Sequence, residues 1–384
     1  MSLTAQIRGK AGELGFNLFG VTPADPLAGA EFYARWVALG FAGEMDYLKR
    51  NLGKRADPRQ LVPDARAVIC LGMDYTPPPT APPSGDDPAR IASYALGDDY
   101  HELIKSRLRQ LWGWICNQTG GERSGRYYVD TAPVLERELA QRAGLGWWGK
   151  NTCLINRDRG SYFFLAEIIL DLELEFDQPA TDHCGTCTRC LEACPTDAFP
   201  KPYVLDASRC ISYLTIELKG PIPNPLRPLM QDWVFGCDIC QQVCPWNGGA
   251  PTTSEPALQP RDSLRDPHLL ELMALDPAAF RDRFRNNPVK RPKRAGFLRN
   301  VAVALGNRKK VDATPVLTTA LDDDEPLIRA HAAWALGQIG GEAGRTALNK
   351  ALTTEQEEVV RAEIESALLE LEANASEDRT GIAS

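Results

Sequence analysis

Apolar and polar positions alternate along the first half of the chain in short blocks that predict strands and helices in turn. RAVICLGMDY, RYYVDTAP and YFFLAEIIL are short apolar runs typical of strands. HELIKSRLRQLWGWICNQ and PVLERELAQRAG instead space their apolar residues as amphipathic helices do. This alternation predicts an α/β domain over residues 1–175, in which TPPPTAPPSGDDPAR forms an exposed, turn-rich loop over residues 76–90.

The pattern changes after NGGAPTTSEPALQP, which reads as a linker over residues 247–260. FLRNVAVALGN, PLIRAHAAWALGQIG and VVRAEIESALLELE are helical and share a motif, in which Leu305 recurs as Leu336 and Leu368, offsets of 31 and 32 residues. A period of this length is typical of stacked helix pairs, so we predict HEAT-like helical repeats over residues 260–384. A helical bundle without a true repeat is the alternative.

Composition limits the classes of protein to consider. With 384 residues the chain is expected to form two or three domains, and 43% hydrophobic with 24% charged residues is ordinary for a folded protein. The N-terminal segment resembles no export signal and no apolar run is long enough for a membrane span, so we expect a cytoplasmic protein. In a reducing compartment eleven cysteines, eight of them between positions 184 and 244, indicate metal ligands rather than disulfides.

Two cysteine-rich loops carry the clearest chemical signal. HCGTCTRCLEACPTDAF has the Cys-x2-Cys-x2-Cys-x3-Cys-Pro spacing of ferredoxin loops, in which three thiolates hold one [4Fe–4S] cluster and the fourth reaches a second cluster. GCDICQQVCPWN repeats the pattern without its first cysteine, and Cys210 is the nearest thiol that could replace it. The sequence thus predicts a ferredoxin-like domain with two [4Fe–4S] clusters over residues 176–250.

The crossed arrangement of two-cluster ferredoxins gives the ligand sets. The first cluster takes Cys184, Cys187, Cys190 and Cys244, and the second takes Cys194, Cys210, Cys237 and Cys240. Structural zinc is the alternative, because Cys-x2-Cys pairs also suit tetrahedral zinc. Zinc has no use for the x3-Cys-Pro ending that occurs twice in this chain. The remaining Cys70, Cys116 and Cys153 are expected to be packing residues.

Charge is unevenly distributed along the chain, whose net charge is −8. Residues 281–310 contain eleven Lys or Arg against one Asp, a local charge near +10. Such a segment is either a solvated face or a binding surface for a polyanion, most simply a nucleic acid backbone.

Clusters transfer electrons but seldom make or break substrate bonds, so a second redox centre is expected in the first domain. The sequence has neither a G-x-G-x-x-G motif that opens a helix after a strand nor a Walker lysine. With only four histidines a histidine-rich metal site is not expected either. We therefore expect a large planar organic cofactor held by shape and backbone.

A family resemblance makes this expectation specific. The segments SYALGDDYH and VDTAPVLERELAQRAGLGWWGKNTCLI, followed by the cysteine array and the helical repeats, resemble the epoxyqueuosine reductases over nearly the whole chain. The combination of DTAPVLER, GxGWxGKN and HCGxCxxCxxACPT is specific. The resemblance implies a cobalamin enzyme with two [4Fe–4S] clusters that removes the epoxide oxygen of epoxyqueuosine at the wobble position of tRNA.

The resemblance also suggests roles for individual residues. Asp130, at the end of a predicted strand, is the expected proton donor to the epoxide oxygen, although it could instead cap the next helix. Tyr100 and His101 are expected in the pocket wall or in a proton relay. Contacts to cobalamin are expected from Gly146, Lys150, Asn151 and Thr152, in a glycine-rich turn.

Partners follow from the same resemblance. The anticodon stem-loop of a tRNA that carries epoxyqueuosine would lie on the basic segment and contact Lys290, Arg291, Lys293, Arg294 and Arg299. A low-potential donor such as flavodoxin or ferredoxin would supply the electrons, and we expect a monomer. Two alternatives stay open at this point: a corrinoid reductive dehalogenase, and a non-catalytic iron–sulfur relay protein that docks through its HEAT repeats.

Overall fold

The computed structural model describes residues 1–76 and 88–380, and side chains as far as residue 373. Most of the proline-rich loop predicted after Thr76 therefore lies outside the described residues. The strands are β1 (Leu18–Pro23), β2 (Ala67–Asp74), β3 (Arg90–Ile91), β4 (Gly125–Tyr128), β5 (Trp147–Trp148), β6 (Leu154–Ile155), β7 (Phe163–Leu170) and β8 (Trp233–Phe235).

The helices vary from single turns to more than twenty residues. They are α1 (Leu3–Glu13), α2 (Ala30–Ala38), α3 (Asp46–Lys49), α4 (Leu52–Ala56), α5 (Tyr100–Gln118), α6 (Glu136–Arg142), α7 (Arg189–Glu192), α8 (Ile211–Ile216), α9 (Ile239–Gln242), α10 (Asp262–Arg265), α11 (Leu269–Met273), α12 (Pro277–Arg283), α13 (Lys293–Arg308), α14 (Thr314–Ala320), α15 (Pro326–Ile339), α16 (Gly341–Thr354) and α17 (Glu358–Thr380). None of these helices, within the described residues, is both long and apolar enough to cross a membrane.

The chain folds into two compact units that do not follow a simple division along the sequence. One comprises Met1–Pro79, Leu96–Ser208 and Asp238–Pro260, and the other comprises Thr80–Ala95, Arg209–Cys237 and Arg261–Ser384. The functional domains predicted for residues 1–175, 176–250 and 260–384 stay a prediction. Local sequence pattern does not encode this division, because it depends on which distant segments pack together.

A four-stranded sheet with the order β1-β2-β7-β4 forms the centre of the first unit. Its middle strands β2 and β7 consist almost entirely of buried residues, which explains their continuous apolar sequences. One face of the sheet packs against α6 through a core that contains Cys70, Leu139 and Ala143. The predicted strands and helices are present, but every strand pair in this sheet is antiparallel, unlike the parallel sheet of doubly wound α/β folds.

Helices α13 to α17 dominate the second unit and stack as predicted for helical repeats. Gly306 of α13 and Gly337 of α15 occupy equivalent positions, since a Cβ atom added to either would lie within 3 Å of the following repeat, at Trp334 and Ala367 respectively. Leu305 and Leu336 are buried, as their recurrence predicts. The short elements α8 and β8 belong to this unit, and Asn300 of α13 donates hydrogen bonds to the carbonyl oxygens of Thr215 and Val234.

Candidate active site and cluster loops

The first turn of α5 places Tyr100 and His101 at the candidate active site. Asp99 caps this helix, because its carboxylate accepts a hydrogen bond from the backbone N–H of His101. The same carboxylate lies 2.8 Å from His101 Nδ1. Tyr100 stacks on Phe164 of β7, with ring centroids 3.9 Å apart, and on the ring of His101. The GDDYH segment therefore fixes both side chains through a cap and an aromatic stack.

Asp130 lies opposite these two residues, in the bend after β4. The Tyr100 hydroxyl donates a 2.7 Å hydrogen bond to Asp130 Oδ2, and His101 Nε2 forms an ion pair with the same oxygen at 3.3 Å. The Asp130 side chain is 52% exposed, so its carboxyl group stays accessible on one side. Asp130 is not the cap of the next helix, since α6 begins at Glu136 after Leu135. The structure thus brings Asp130, Tyr100 and His101 together.

The surroundings of His101 favour its charged form. Burial alone lowers the pKa of the imidazole, but the carboxylates of Asp130 and Asp99 outweigh burial and raise this pKa to about 9. Both ring nitrogens already face a carboxylate. At neutral pH the site therefore holds a proton on an imidazolium that contacts the Asp130 carboxylate directly.

The predicted ligands of the first cluster converge in the structure. Burial, together with the charges of Cys184, Cys244 and Cys187, raises the pKa of the Cys190 thiol to about 11. The same four cysteines line one small cavity together with Lys150 and Trp246. Thiolates that repel one another in this way are the donor set that the iron ions of a [4Fe–4S] cluster neutralise. The shared cavity is consistent with this donor set, and the assignment of these four cysteines to the first cluster stays a prediction.

The segment Gly149–Thr152 supports this cluster loop through its side chains. Lys150, only 9% exposed, donates hydrogen bonds through Nζ to the carbonyl oxygens of Gly185 and Cys187, at 2.7 and 2.9 Å. Asn151 Nδ2 donates to the carbonyl oxygen of Cys240. Thr152 is buried, with a positive φ of 64°. The contacts of Lys150 and Asn151 to the cysteine loops were not anticipated from the sequence, and their contact to cobalamin stays a prediction.

Gly146 has a structural reason for lacking a side chain. A Cβ atom at this position would lie 2.3 Å from the carbonyl oxygen of Ile155, across the β5–β6 hairpin. The glycine therefore permits close approach of the protein's own backbone. Its role in cofactor binding stays a prediction as well.

The four cysteines predicted to hold the second cluster are Cys194, Cys210, Cys237 and Cys240. Cys194 Sγ accepts a hydrogen bond from the backbone N–H of Ala198, in the turn after its loop. Cys194 and Cys240 lie in the first compact unit, and Cys210 and Cys237 lie in the second. A hydrogen bond that Cys153 accepts from Cys240 lowers the pKa of Cys153, so Cys153 contacts a predicted ligand rather than only packing in the core. Assignment of the four cysteines to a second cluster stays a prediction.

The basic segment differs from its sequence-based interpretation at two arginines. Arg299 was predicted to contact nucleic acid, but it is fully buried in α13 and donates hydrogen bonds to the carbonyl oxygens of Leu214, Leu218 and Gly220. The prediction for Arg299 is therefore wrong, because no part of its side chain reaches the surface. Arg294 forms a bidentate ion pair with Asp323 and is mostly buried.

Other cations of the segment remain at the surface. Arg291 is exposed although it pairs with Glu217 at 2.7 Å. Lys290 and Lys293 are exposed. The charge density of residues 281–310 is thus lower at the surface than the sequence suggests, because several arginines are already paired within the protein. Nucleic-acid contacts of the exposed residues stay a prediction.

Three acidic residues near Asp130 were missed by sequence reasoning. Asp99 orients His101, Glu136 accepts a 2.8 Å hydrogen bond from the backbone N–H of Asp130, and Glu167 is a fully buried carboxyl on β7. Only the position of Glu167 within the apolar run FFLAEIIL could have been noticed from the sequence, since a charged residue in a fully buried strand is unusual.

Three known protein families match successive parts of the chain. The family described as "Epoxyqueuosine reductase QueG, DUF1730" matches residues 55–131, which include Tyr100, His101 and Asp130. The "4Fe-4S double cluster binding domain" matches residues 183–247, which include all eight predicted ligands. The "HEAT repeats" family matches residues 296–369 and confirms the predicted repeats. These matches define a multidomain iron–sulfur protein with a helical-repeat region.

Individual relatives make the family specific. An epoxyqueuosine reductase from Xanthomonas campestris is 46% identical over 349 residues, which cover 88% of this chain and 96% of that protein. A crystal structure of epoxyqueuosine reductase with an epoxyqueuosine-modified tRNA-Tyr stem loop matches with a TM-score of 0.91 and 32% identity, covering 96% of this chain and 99% of that chain. The Bacillus subtilis enzyme, with its catalytic aspartate loop swung out of the active site, matches with a TM-score of 0.89, 32% identity and coverage of 96% and 99%. The chain belongs to the epoxyqueuosine reductase family.

Proposed function

We propose that this protein reduces the epoxide of epoxyqueuosine in tRNA to the alkene of queuosine. The observation that carries the proposal is the half-exposed Asp130 carboxyl, held by Tyr100 and His101 in a chain that is 46% identical to an epoxyqueuosine reductase over most of its length. A related structure binds an epoxyqueuosine-modified tRNA stem loop, which supports the same substrate class here.

The reaction consumes two electrons and two protons and releases the epoxide oxygen as water. Two [4Fe–4S] clusters, with the ligand sets predicted from the cysteine spacing, would deliver electrons one at a time. The convergence of Cys184, Cys187, Cys190 and Cys244 supports the first of these sets. A low-potential donor such as flavodoxin or ferredoxin is the proposed source of electrons.

Cobalamin is the proposed second redox centre, and when bound it would supply two-electron reduction at carbon. The residues near Asp130 fit a large planar cofactor such as cobalamin. The Asp130 carboxyl is half-exposed, so a cofactor can approach its exposed side, and the stacked rings of Tyr100 and His101 lie on the other side. Both nitrogens of His101 face carboxylates, so we assign this residue to proton handling rather than to metal coordination.

Proton delivery is the role that the described residues explain best. As the C–O bond opens, negative charge develops on the epoxide oxygen and a proton must arrive there. Asp130 is the proposed donor at that oxygen. His101, protonated at neutral pH, would pass its proton to the Asp130 carboxylate through the contact between Nε2 and Oδ2, so that Asp130 can deliver this proton to the epoxide oxygen. Tyr100 would hold the carboxyl in place.

Binding of tRNA is proposed for the exposed cations of the basic segment, Lys290, Arg291 and Lys293, through phosphate contacts. Arg294 would contribute mainly by supporting this surface through its ion pair with Asp323.

The test is anaerobic reconstitution with iron, sulfide and cobalamin, followed by metal analysis and turnover on a tRNA stem-loop that contains epoxyqueuosine. We expect about eight irons and one cobalt per chain, by the arithmetic of two [4Fe–4S] clusters and one corrin. Asp130→Asn should keep this content and lose turnover, and Asp64→Asn, at an exposed position, should keep both. If Asp130→Asn turned over at the wild-type rate, Asp130 would have no role in the mechanism. If the wild-type holoenzyme were inactive on this substrate, the proposed function would be contradicted.

A further inference from the structure

A buried carboxyl group lies in the sheet behind the candidate active site. Glu167 of β7 is 0% exposed and pairs across the sheet with Cys70 of β2 on one side and Tyr128 of β4 on the other. Directly paired residues project from the same face, here the face that packs against α6. A single ionised carboxylate at such a position is strongly disfavoured unless it is paired or hydrogen-bonded.

The hydrogen-bonding environment of Glu167 indicates that a proton is retained there. Within residues 1–76 and 88–373, neither oxygen of the buried Glu167 carboxyl receives a hydrogen bond from an N–H or hydroxyl group. The carboxyl of Glu136, at the start of α6, lies within hydrogen-bonding reach of Glu167. Because ionised carboxylates only accept, a hydrogen bond between these two glutamates requires a proton on one of them.

Electrostatics agree with the geometry. Burial raises the pKa of Glu167 well above its ordinary value, and the charges of Glu136 and Asp130 raise it further. Burial likewise raises the pKa of Glu136 to about 8, with the Asp130 charge as the next cause. The cations Arg137 and Arg55 lower the pKa of Glu136 but do not outweigh these effects. At neutral pH the pair therefore keeps at least one proton.

Glu136 also contacts the catalytic loop directly. Its Oε1 accepts a 2.8 Å hydrogen bond from the backbone N–H of Asp130. Asp130 has a φ of +57°, a left-handed conformation that is unfavourable for a residue with a side chain and persists when the surroundings fix it. The Asp130 backbone is thus anchored by Glu136, and its carboxyl is anchored by Tyr100.

We propose that Glu136 and Glu167 form a proton-sharing carboxyl pair that positions Asp130 for catalysis. Glu167 donates its proton to Glu136, and Glu136 accepts both this bond and the bond from the Asp130 backbone. The two glutamates are positioning residues, because neither needs to touch the substrate. This inference rests on the proposed function of Asp130. The loop that carries the catalytic aspartate is swung out in the Bacillus subtilis structure, so this kind of loop can leave its site in a relative.

The first test detects the shared proton without an activity assay. Isotope-edited infrared spectra of the holoenzyme with carbon-13-labelled glutamate should show a protonated carboxyl band at neutral pH. Glu167→Gln should remove or shift this band, and Asp64→Asn should not change it. A wild-type spectrum without a protonated glutamate band, or a band insensitive to Glu167→Gln, would overturn the proposal even if the enzyme is active.

The second test examines positioning. Glu136→Leu removes the acceptor for Asp130 and should lower kcat on epoxyqueuosine stem-loop by on the order of 10²-fold, as expected for a misplaced catalytic group, with KM for the stem-loop unchanged. Glu136→Gln keeps an acceptor oxygen and should restore most of the loss. Glu122→Leu, at an exposed site, is the matched control. Wild-type kcat in Glu136→Leu would overturn the positioning role. An inactive wild-type enzyme that shows the infrared band would instead contradict only the proposed function.

Discussion

The ammonium group of Lys150 donates a 2.9 Å hydrogen bond to the carbonyl oxygen of Cys187, inside the loop predicted to hold the first cluster. A second bond from the same nitrogen reaches Gly185. A buried positive charge beside a [4Fe–4S] cluster stabilises its reduced, more negative state. We therefore expect Lys150 to stabilise the reduced state of the first cluster.

Replacing Lys150 with Met should make the reduction potential of the first cluster more negative. We expect a shift of tens of millivolts, where about 59 mV corresponds to a tenfold change in a one-electron equilibrium. Redox titration of the reconstituted protein followed by electron paramagnetic resonance measures this shift. Lys201→Met, at an exposed position, is the control. Equal potentials in both variants and the wild type would exclude an electrostatic role for Lys150.

The pH dependence of turnover should report the His101–Asp130 ion pair. Because the pKa of His101 is raised from 6.5 to about 9, the imidazolium is present at neutral pH and is lost as the pH rises through about 9. Turnover should fall in that range, and His101→Asn should be slow at neutral pH and lack this alkaline decrease. An identical alkaline decrease in His101→Asn would assign it to another group.

The free energy of unfolding should also depend on the ionisation of His101, and the direction of this pH dependence follows from its raised pKa. A pKa that is higher in the folded than in the unfolded state contributes stability below pH 6.5, and this contribution disappears as the pH rises through about 9. The Tm difference between wild type and His101→Asn should therefore shrink from pH 6 to pH 10. A difference that stays constant over this range would show that His101 does not bind its proton more tightly in the folded protein.

Charge reversal at Lys293 should weaken tRNA binding. Lys293 is exposed at the start of α13, so Lys293→Glu should lower affinity and reduce the slope of log K against log salt by roughly 1. Lys350→Glu, exposed on α16, provides the matched control. Equal affinities of the two variants across a salt titration would contradict phosphate binding by this part of the segment. Arg294 is unsuitable for this test, because reversing its charge would also break its ion pair with Asp323.

Loss of Arg299 should affect stability rather than direct tRNA contact. Arg299→Met leaves the carbonyl oxygens of Leu214, Leu218 and Gly220 without their donor, which should lower the free energy of unfolding by roughly 3 kcal/mol. Arg281→Met, at an exposed position, should change it by less than about 0.5 kcal/mol. Denaturant unfolding of both variants measures the difference. Similar stability of the two variants would show that the buried guanidinium is dispensable for the fold.

Several features of the protein were predictable because their signals are local. The cysteine spacing predicts iron–sulfur loops, since each loop must place its thiolates around one cluster. The recurrence of Leu305 as Leu336 predicts the helical repeats, which the family match confirms. The motif around Asp130 indicates the family, and the relatives confirm this resemblance.

Other features depend on segments far apart in the chain. The antiparallel pairing of β2 with β7 joins segments separated by nearly ninety residues, and no local pattern specifies the direction of such a pair. Arg299 and Lys293 look alike in the basic segment, yet only the packing of α8 and β8 on α13 buries the first and leaves the second exposed.

The sequence by itself determined the chemistry that this protein can carry: thiolates at cluster spacing, a repeat of helices and an aspartate in a family motif. Tertiary structure decided how these groups behave, because pKa values and exposure depend on neighbours from distant segments. Asp99 and Asp130 keep His101 protonated at neutral pH, and burial of Glu167 beside Glu136 retains a proton in the sheet. These effects arise from desolvation and from charges brought within a few ångströms, and folding alone brings them together.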